Sequence, residues 1–197
     1  MNEKLYEKIT AALVSDGYIV IDHVLNPQIP KNLLCYVQSL SELKQAGISA
    51  SKSKHIDSSR RRDKTKWLEE DNAIQSEYLE FTSGLQDYLN RALYLGLNDY
   101  ESHFAIYEEG DFYETHLDAF KNSKNRVVTT VYYLNDEWNE KDGGELIVYN
   151  EENEFLTKVT PSSNTLVVFL SEKFPHEVLP AKKTRYSIAG WFRVDGV

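Results

Sequence analysis

Apolar residues recur at helical intervals through most of the first hundred positions, and the period then changes to that of strands. Leu5, Ile9, Ala12 and Leu13 lie on one side of a helix that stops at Asp16-Gly17, and the run YIVIDHVL from Tyr18 is rich in β-formers. A second helix is expected after Pro27 and Pro30. A third is expected over about 73–95, where Tyr78, Phe81, Leu85, Tyr88, Leu89 and Ala92 make an apolar stripe. Between them, SASKSKHIDSSRRRDKTK (49–66) is polar and basic and predicts a surface loop. After Gly96, short runs of Val, Ile, Thr, Tyr and Phe alternate with turn clusters such as Asn122-Ser123, Asp142-Gly143-Gly144 and 161–164. Strands are expected near 102–109, 113–119, 126–135, 144–149, 155–160, 164–170, 176–179 and 184–194. The pattern predicts one α+β domain over 1–197, a double-stranded β-helix (jelly roll) with N-terminal helices packed against its major sheet. Residues 1–100 supply mainly helical support and a loop at about 49–71, and 101–195 the jelly-roll core.

Composition narrows the function. The 197 residues are 41% hydrophobic, enough for a sizeable core. A net charge of −9 argues against a phosphate-backbone binder, so no nucleic-acid partner is expected. Cys35 is the only cysteine, which rules out an intrachain disulfide, and its neighbours Leu33, Leu34, Tyr36 and Val37 predict a buried, inert thiol. MNEKLYEKIT has no signal-type apolar run and no window approaches the roughly 20 apolar residues of a membrane span, so the expectation is a cytoplasmic monomer with no membrane partner.

His116 and Asp118 stand two apart in FYETHLDAF. On a strand such residues share a face, whereas on a helix they diverge. His176 opens the predicted strand HEVL and is the best third ligand; His23, His55 and His103 lie in the helical half or at its end. Two imidazoles and a carboxylate leave metal positions open for co-substrate and oxygen. The same triple also arises among ordinary hydrogen-bonded residues. Arg185, nine residues past His176 and across a turn at 180–183, is expected on an adjacent antiparallel strand opening into the same cavity. An inward guanidinium needs an anion, either a structural acid or the distal carboxylate of a dicarboxylic acid held by both fork nitrogens. Strand alternation places Ser187, Ala189 and Trp191 on the face of Arg185. Tyr107 and Tyr133 suit a carboxylate partner, though most of the 13 tyrosines must serve packing.

Three stretches, YEEGDFYETHLD (107–118), RVVTTVYYLN through DGGELIVY (126–149) and HEVLPAKKTRYSIAGWF (176–192), resemble the prolyl hydroxylases of the hypoxia-inducible-factor type and their bacterial relatives. RRRDKTKWLEED (60–71) is similar to that group's substrate-covering loop, so the resemblance runs from about 60 to 193. It implies that His116, Asp118 and His176 hold Fe(II), that Arg185 pairs with the distal carboxylate of 2-oxoglutarate, and that Tyr107 and Tyr133 hydrogen-bond to it. Val131, Leu146, Val178 and Trp191 would line the pocket. Asp63 and Arg126 match a loop acid and a strand arginine that pair over the mouth and touch substrate; the bland alternative is a solvated ion pair. The chain departs from the group's pattern in a shorter 107–116 segment, Ala189 where a hydroxyl residue is often found, and Glu145 at an apolar position.

The resemblance implies an iron(II)/2-oxoglutarate dependent dioxygenase that uses O2, with ascorbate as a reductant. It would hydroxylate a prolyl residue in a flexible protein segment, a translation factor or ribosomal protein fitting that description, and release succinate and CO2. No acid or base separate from the metal ligands is assigned. Three alternatives stay open: oxidation of another residue or a small molecule, a zinc hydrolase, which leaves Arg185 unexplained, and a non-catalytic jelly-roll binding module.

Overall fold

The computed structural model describes residues 2–41, 43–45, 60–119 and 125–194. His55, the 49–59 part of the predicted loop and the Asn122-Ser123 turn lie outside the described residues. Helix α1 (Glu3–Ser15) buries Tyr6, Ile9, Thr10 and Leu13, and ends at Gly17, whose φ of 79° an L side chain rarely adopts. Helix α2 (Gln28–Ser39) carries Pro30 in its first turn, where a missing N–H costs little, and buries Ile29, Pro30, Leu33 and Val37. Cys35, expected inside, is exposed: two residues from Leu33, it points away from the buried side. Helix α3 (Ser76–Leu93) buries Tyr78, Phe81, Thr82, Leu85 and Leu89, while Ala92 in its last turn is exposed.

Eleven strands are described: β1 (Tyr18–Ile21), β2 (Lys44–Gln45), β3 (Lys64–Trp67), β4 (Asp99–Tyr107), β5 (Tyr113–His116), β6 (Arg126–Tyr133), β7 (Leu146–Tyr149), β8 (Phe155–Val159), β9 (Leu166–Leu170), β10 (His176–Val178) and β11 (Arg185–Arg193). They form a seven-stranded sheet, β1-β9-β6-β11-β4-β3-β2, and a four-stranded sheet, β5-β10-β7-β8, with every pair antiparallel. All eight strands expected after Gly96 are present. Residues 64–67, expected in a loop, instead pair with β4, Thr65 opposite Ala105 and Trp67 opposite His103.

The large sheet is buried on both faces. Phe104, Ile106, Val128, Tyr132, Leu166, Val168, Ile188 and Phe192 pack against the helices. The alternate residues Ala105, Tyr107, Val131, Tyr133, Val167 and Phe169 face the small sheet with Leu146, Val148 and Val178. His176 and Arg185 are not on neighbouring strands, contrary to expectation. β10 belongs to the small sheet and β11 to the large one, so the chain crosses between sheets at 179–184. That crossing is pinned by glycines. Gly143 and Gly144, at φ 69° and 72°, lie against it with Gly144 N donating to Pro180 O at 3.1 Å, and an added Cβ at 143 would come within 2.7 Å of that oxygen.

Candidate active site

His116, at the end of β5, pairs in register with His176 at the start of β10, and Asp118 follows two residues after His116. Strand β5 stops at His116, two residues before the carboxylate, yet the three side chains converge with one ligand atom of each within 4.8 Å of the others. Backbone carbonyls fix both imidazoles. His116 Nδ1 donates to Glu114 O at 2.8 Å and His176 Nδ1 to Phe174 O at 2.9 Å, so both Nε2 lone pairs face Asp118 across 3.7 and 3.5 Å. Thr129 Oγ1 donates to Asp118 Oδ2 at 2.9 Å and is itself 2.9 Å from Ser171 Oγ. Burial, reinforced by His176, pushes the His116 pKa down and keeps the ring neutral. Burial alone would raise the pKa of Asp118, but His176, His116 and Arg126 outweigh it and hold the carboxyl below the usual range. An ionised carboxylate with two imidazole Nε2 atoms turned towards it is a donor set that a divalent transition metal takes.

Arg185 is 1% exposed, and no acid pairs with it among the described residues. Its Nη1 donates weakly to Ser187 Oγ at 3.3 Å, its Nε has no partner, and its guanidinium lies 4.9 and 5.0 Å from the ring centres of Tyr107 and Tyr133. The Tyr133 hydroxyl is also buried and unpartnered. A buried cation beside orphaned donors is costly unless an anion completes it, so the pocket fits a carboxylate. Val131, Leu146 and Val178, expected to line it, are buried in the same inter-sheet cluster as Tyr107 and Tyr133. Trp191 is buried one row further along β11, opposite Thr129, with its indole N–H unpartnered. The anion pocket, on the large sheet, and the metal histidines, on the small sheet, thus face one interior.

A strap runs beside the site. Arg62 N donates to Phe112 O at 3.2 Å and Glu114 N to Arg60 O at 2.9 Å, fastening residues 60–62 to β5, while β3 joins the edge of the large sheet. The expected pair of Asp63 with Arg126 does not form. Asp63, fully buried, holds Arg61 by two bonds of 2.5 and 2.9 Å, because residues two apart on an extended segment share a side. Arg126 binds Glu101 at 3.0 and 2.7 Å and lies 3.7 Å over the Trp191 ring. Arg61 also lies over Tyr113, whose ring stacks on His116 at 3.6 Å. Sequence reading missed Thr129, Tyr113, Arg61 and Glu101. Thr129 had a signal, since it shares the alternation of Val131 and Tyr133, and so did Arg61, which stands two residues before Asp63.

The profile of the 2OG-Fe(II) oxygenase superfamily matches residues 102–193. The chain is 38% identical over 85 residues to the prolyl hydroxylase EGLN3 of Homo sapiens, a match covering 42% of this chain and 35% of that protein. It is 36% identical over 91 residues to the hypoxia-inducible factor prolyl hydroxylase of Caenorhabditis elegans, covering 45% and 12%. The chain spans about a third or less of the length of these curated relatives. Among solved structures, a Pseudomonas putida prolyl-4-hydroxylase superposes with a TM-score of 0.88 at 33% identity, over 96% of this chain and 99% of the other. A Trichoplax adhaerens prolyl hydroxylase in complex with a hypoxia inducible factor oxygen degradation domain peptide gives 0.85 at 28%, over 98% and 90%.

Proposed function

This chain belongs to the 2OG-Fe(II) oxygenase superfamily, and from that premise we propose that it hydroxylates a prolyl residue of a protein substrate while converting 2-oxoglutarate to succinate and CO2. The observation that carries the co-substrate is Arg185, fully enclosed, unmatched by any described acid and facing the same interior as the His-Asp-His cluster. Iron and 2-oxoglutarate, when bound, supply the oxidising chemistry: one atom of O2 enters the new carboxylate of succinate and the other the substrate C–H bond.

The chain's own residues do the rest. His116, Asp118 and His176 would hold the metal, with both imidazoles anchored through Nδ1 and the carboxylate through Thr129. Arg185, Tyr133 and Tyr107 orient the distal carboxylate, and Val131, Leu146 and Val178 keep water from it. The strap at 60–67 forms one wall of the substrate mouth, with Asp63 inside it and Arg126 across from it. The prolyl substrate is supported by the likeness to the Pseudomonas putida and Trichoplax adhaerens enzymes, of which the latter is seen with a protein-derived peptide. A cytoplasmic translation factor or ribosomal protein, presented by a flexible segment to a monomeric enzyme, completes the proposal, with ascorbate as external reductant.

The test is anaerobic loading with Fe(II) and 2-oxoglutarate, then oxygen and a cell extract, followed by mass spectrometry. Proteins gaining one oxygen on proline are the expected result. Succinate formed with oxygen gained only on lysine, asparagine or a small molecule would overturn the prolyl assignment.

A further inference from the structure

His103 has no part in the site described so far. It stands on the inner face of β4, opposite Ala189 of β11 and Trp67 of β3. Its row lies between the Ser187–Tyr133 row and the Trp191–Thr129 row, the latter bracing Asp118. It is two strands from Val131, about 10 Å sideways towards the strap, on the strand that β3 of the strap joins. Ala189 beside it is in the middle of the large sheet yet only part-buried, which shows that the space before this row is open.

The surroundings fix what the imidazole can do. Trp67, 47% exposed, meets it edge-on at 5.1 Å, and Trp191 lies on its other side at 5.4 Å, so the ring is the middle step of an aromatic wall leading inward from the surface. Nδ1 is 3.1 Å from Phe104 O. A carbonyl only accepts, so Nδ1 carries the proton and Nε2 presents a lone pair. No described residue donates to that nitrogen. Burial, helped by Arg61 and Arg126, holds the pKa down at about 4, so the ring stays a neutral acceptor at ordinary pH.

We infer that His103 is a substrate-recognition residue whose Nε2 accepts a hydrogen bond from a backbone N–H of the peptide next to the target proline. The target cannot make this bond itself, because a prolyl nitrogen has no hydrogen; the contact reads the neighbouring residue and sets the register of the chain in the mouth. Trp67, about half exposed, supplies the apolar surface on which the peptide lies, and Trp191 backs the imidazole from inside.

This inference rests on the prolyl reading, and the experiment separates the two. A synthetic peptide spanning the proline hydroxylated in the extract is compared with two copies, one N-methylated at the residue before that proline and one at the residue after it. Each is assayed with the wild-type enzyme, His103→Leu and His103→Gln, recording hydroxyproline and, without peptide, succinate. One N-methyl copy should lose about tenfold in kcat/KM with the wild type and with His103→Gln, whose amide oxygen also accepts. It should lose less than twofold with His103→Leu. Succinate formed without peptide should stay within twofold in all three enzymes. Equal sensitivity of wild type and His103→Leu to both methylations overturns the role of His103 and leaves prolyl hydroxylation standing, as does a parallel fall in peptide-free succinate. Absence of any prolyl product from the extract overturns both.

Discussion

The Asp118 carboxylate stands between the two imidazoles, where the proposed metal would sit, and accepts from Thr129 at 2.9 Å. Thr129→Val, nearly the same size, removes that donor and leaves a buried oxygen without a partner. Outer partners of metal ligands are typically worth 10–100-fold in affinity, so Mn(II) should bind the variant at least tenfold more weakly by titration; unchanged affinity would discard the bracing role. His103 makes a different prediction, in stability. Its pKa lies near 4 in the folded chain and near 6.5 unfolded. As pH falls below 6.5 the unfolded chain takes up the proton first, so stability drops between pH 6.5 and 4 and levels off below. About 2–3 kcal/mol should be lost across that window, and His103→Gln should lose less by that amount in urea titrations at each pH. At this scale the two-residue spacing of His116 and Asp118 was readable, while the nine residues from His176 to Arg185 suggested neighbouring strands that do not form. The sequence was silent about Glu101, because ion-pair partners on separate strands, here Glu101 of β4 and Arg126 of β6, have no spacing signature.

At the level of elements, Gly190 shows packing overriding propensity. Alanine normally improves on glycine in a strand by about 0.5–1 kcal/mol, but a Cβ at 190 would overlap the Tyr100 hydroxyl. That hydroxyl bridges Tyr78 at 3.0 Å and Thr130 at 2.9 Å under α3. Gly190→Ala should therefore destabilise by about 1–3 kcal/mol in denaturant melts, and a stabilised variant would refute the close approach. The strap makes a kinetic prediction. Arg61→Met leaves Asp63 buried without a partner, a loss the segment relieves by swinging into water. Hydrogen exchange at the Arg62 and Glu114 amides should accelerate at least tenfold while that at Val131 and Tyr132 does not. Equal protection in variant and wild type would show that the salt bridge does not fasten the strap. This strap is where reading by element failed: K-T-K-W alternates like a strand, but its lysines and basic neighbours concealed four residues whose pairing is set by the edge of β4.

For the whole molecule, the change from helical to strand periodicity at Gly96 was enough to read the architecture, since the two-sided burial of β4, β6, β9 and β11 demands a helical layer on one face and a second sheet on the other. The assignment of strands to sheets was not readable. His176 and Arg185 look like a hairpin in sequence, and only the crossing at 179–184, held by Gly143 and Gly144, sends them to opposite sheets facing one interior. That opposition makes the site, with metal ligands supplied mainly from the small sheet and the anion anchor from the large one. The most direct test is succinate release by the iron-loaded protein as 2-oxoglutarate is varied, comparing wild type with Arg185→Gln. Loss of a charged pair in a buried pocket costs about 2–5 kcal/mol. The wild type should therefore saturate, and the variant should need at least 30-fold more 2-oxoglutarate, with its melting temperature close to that of the wild type or higher. Equal 2-oxoglutarate dependence in the two proteins, or no succinate from the wild type, would contradict the account.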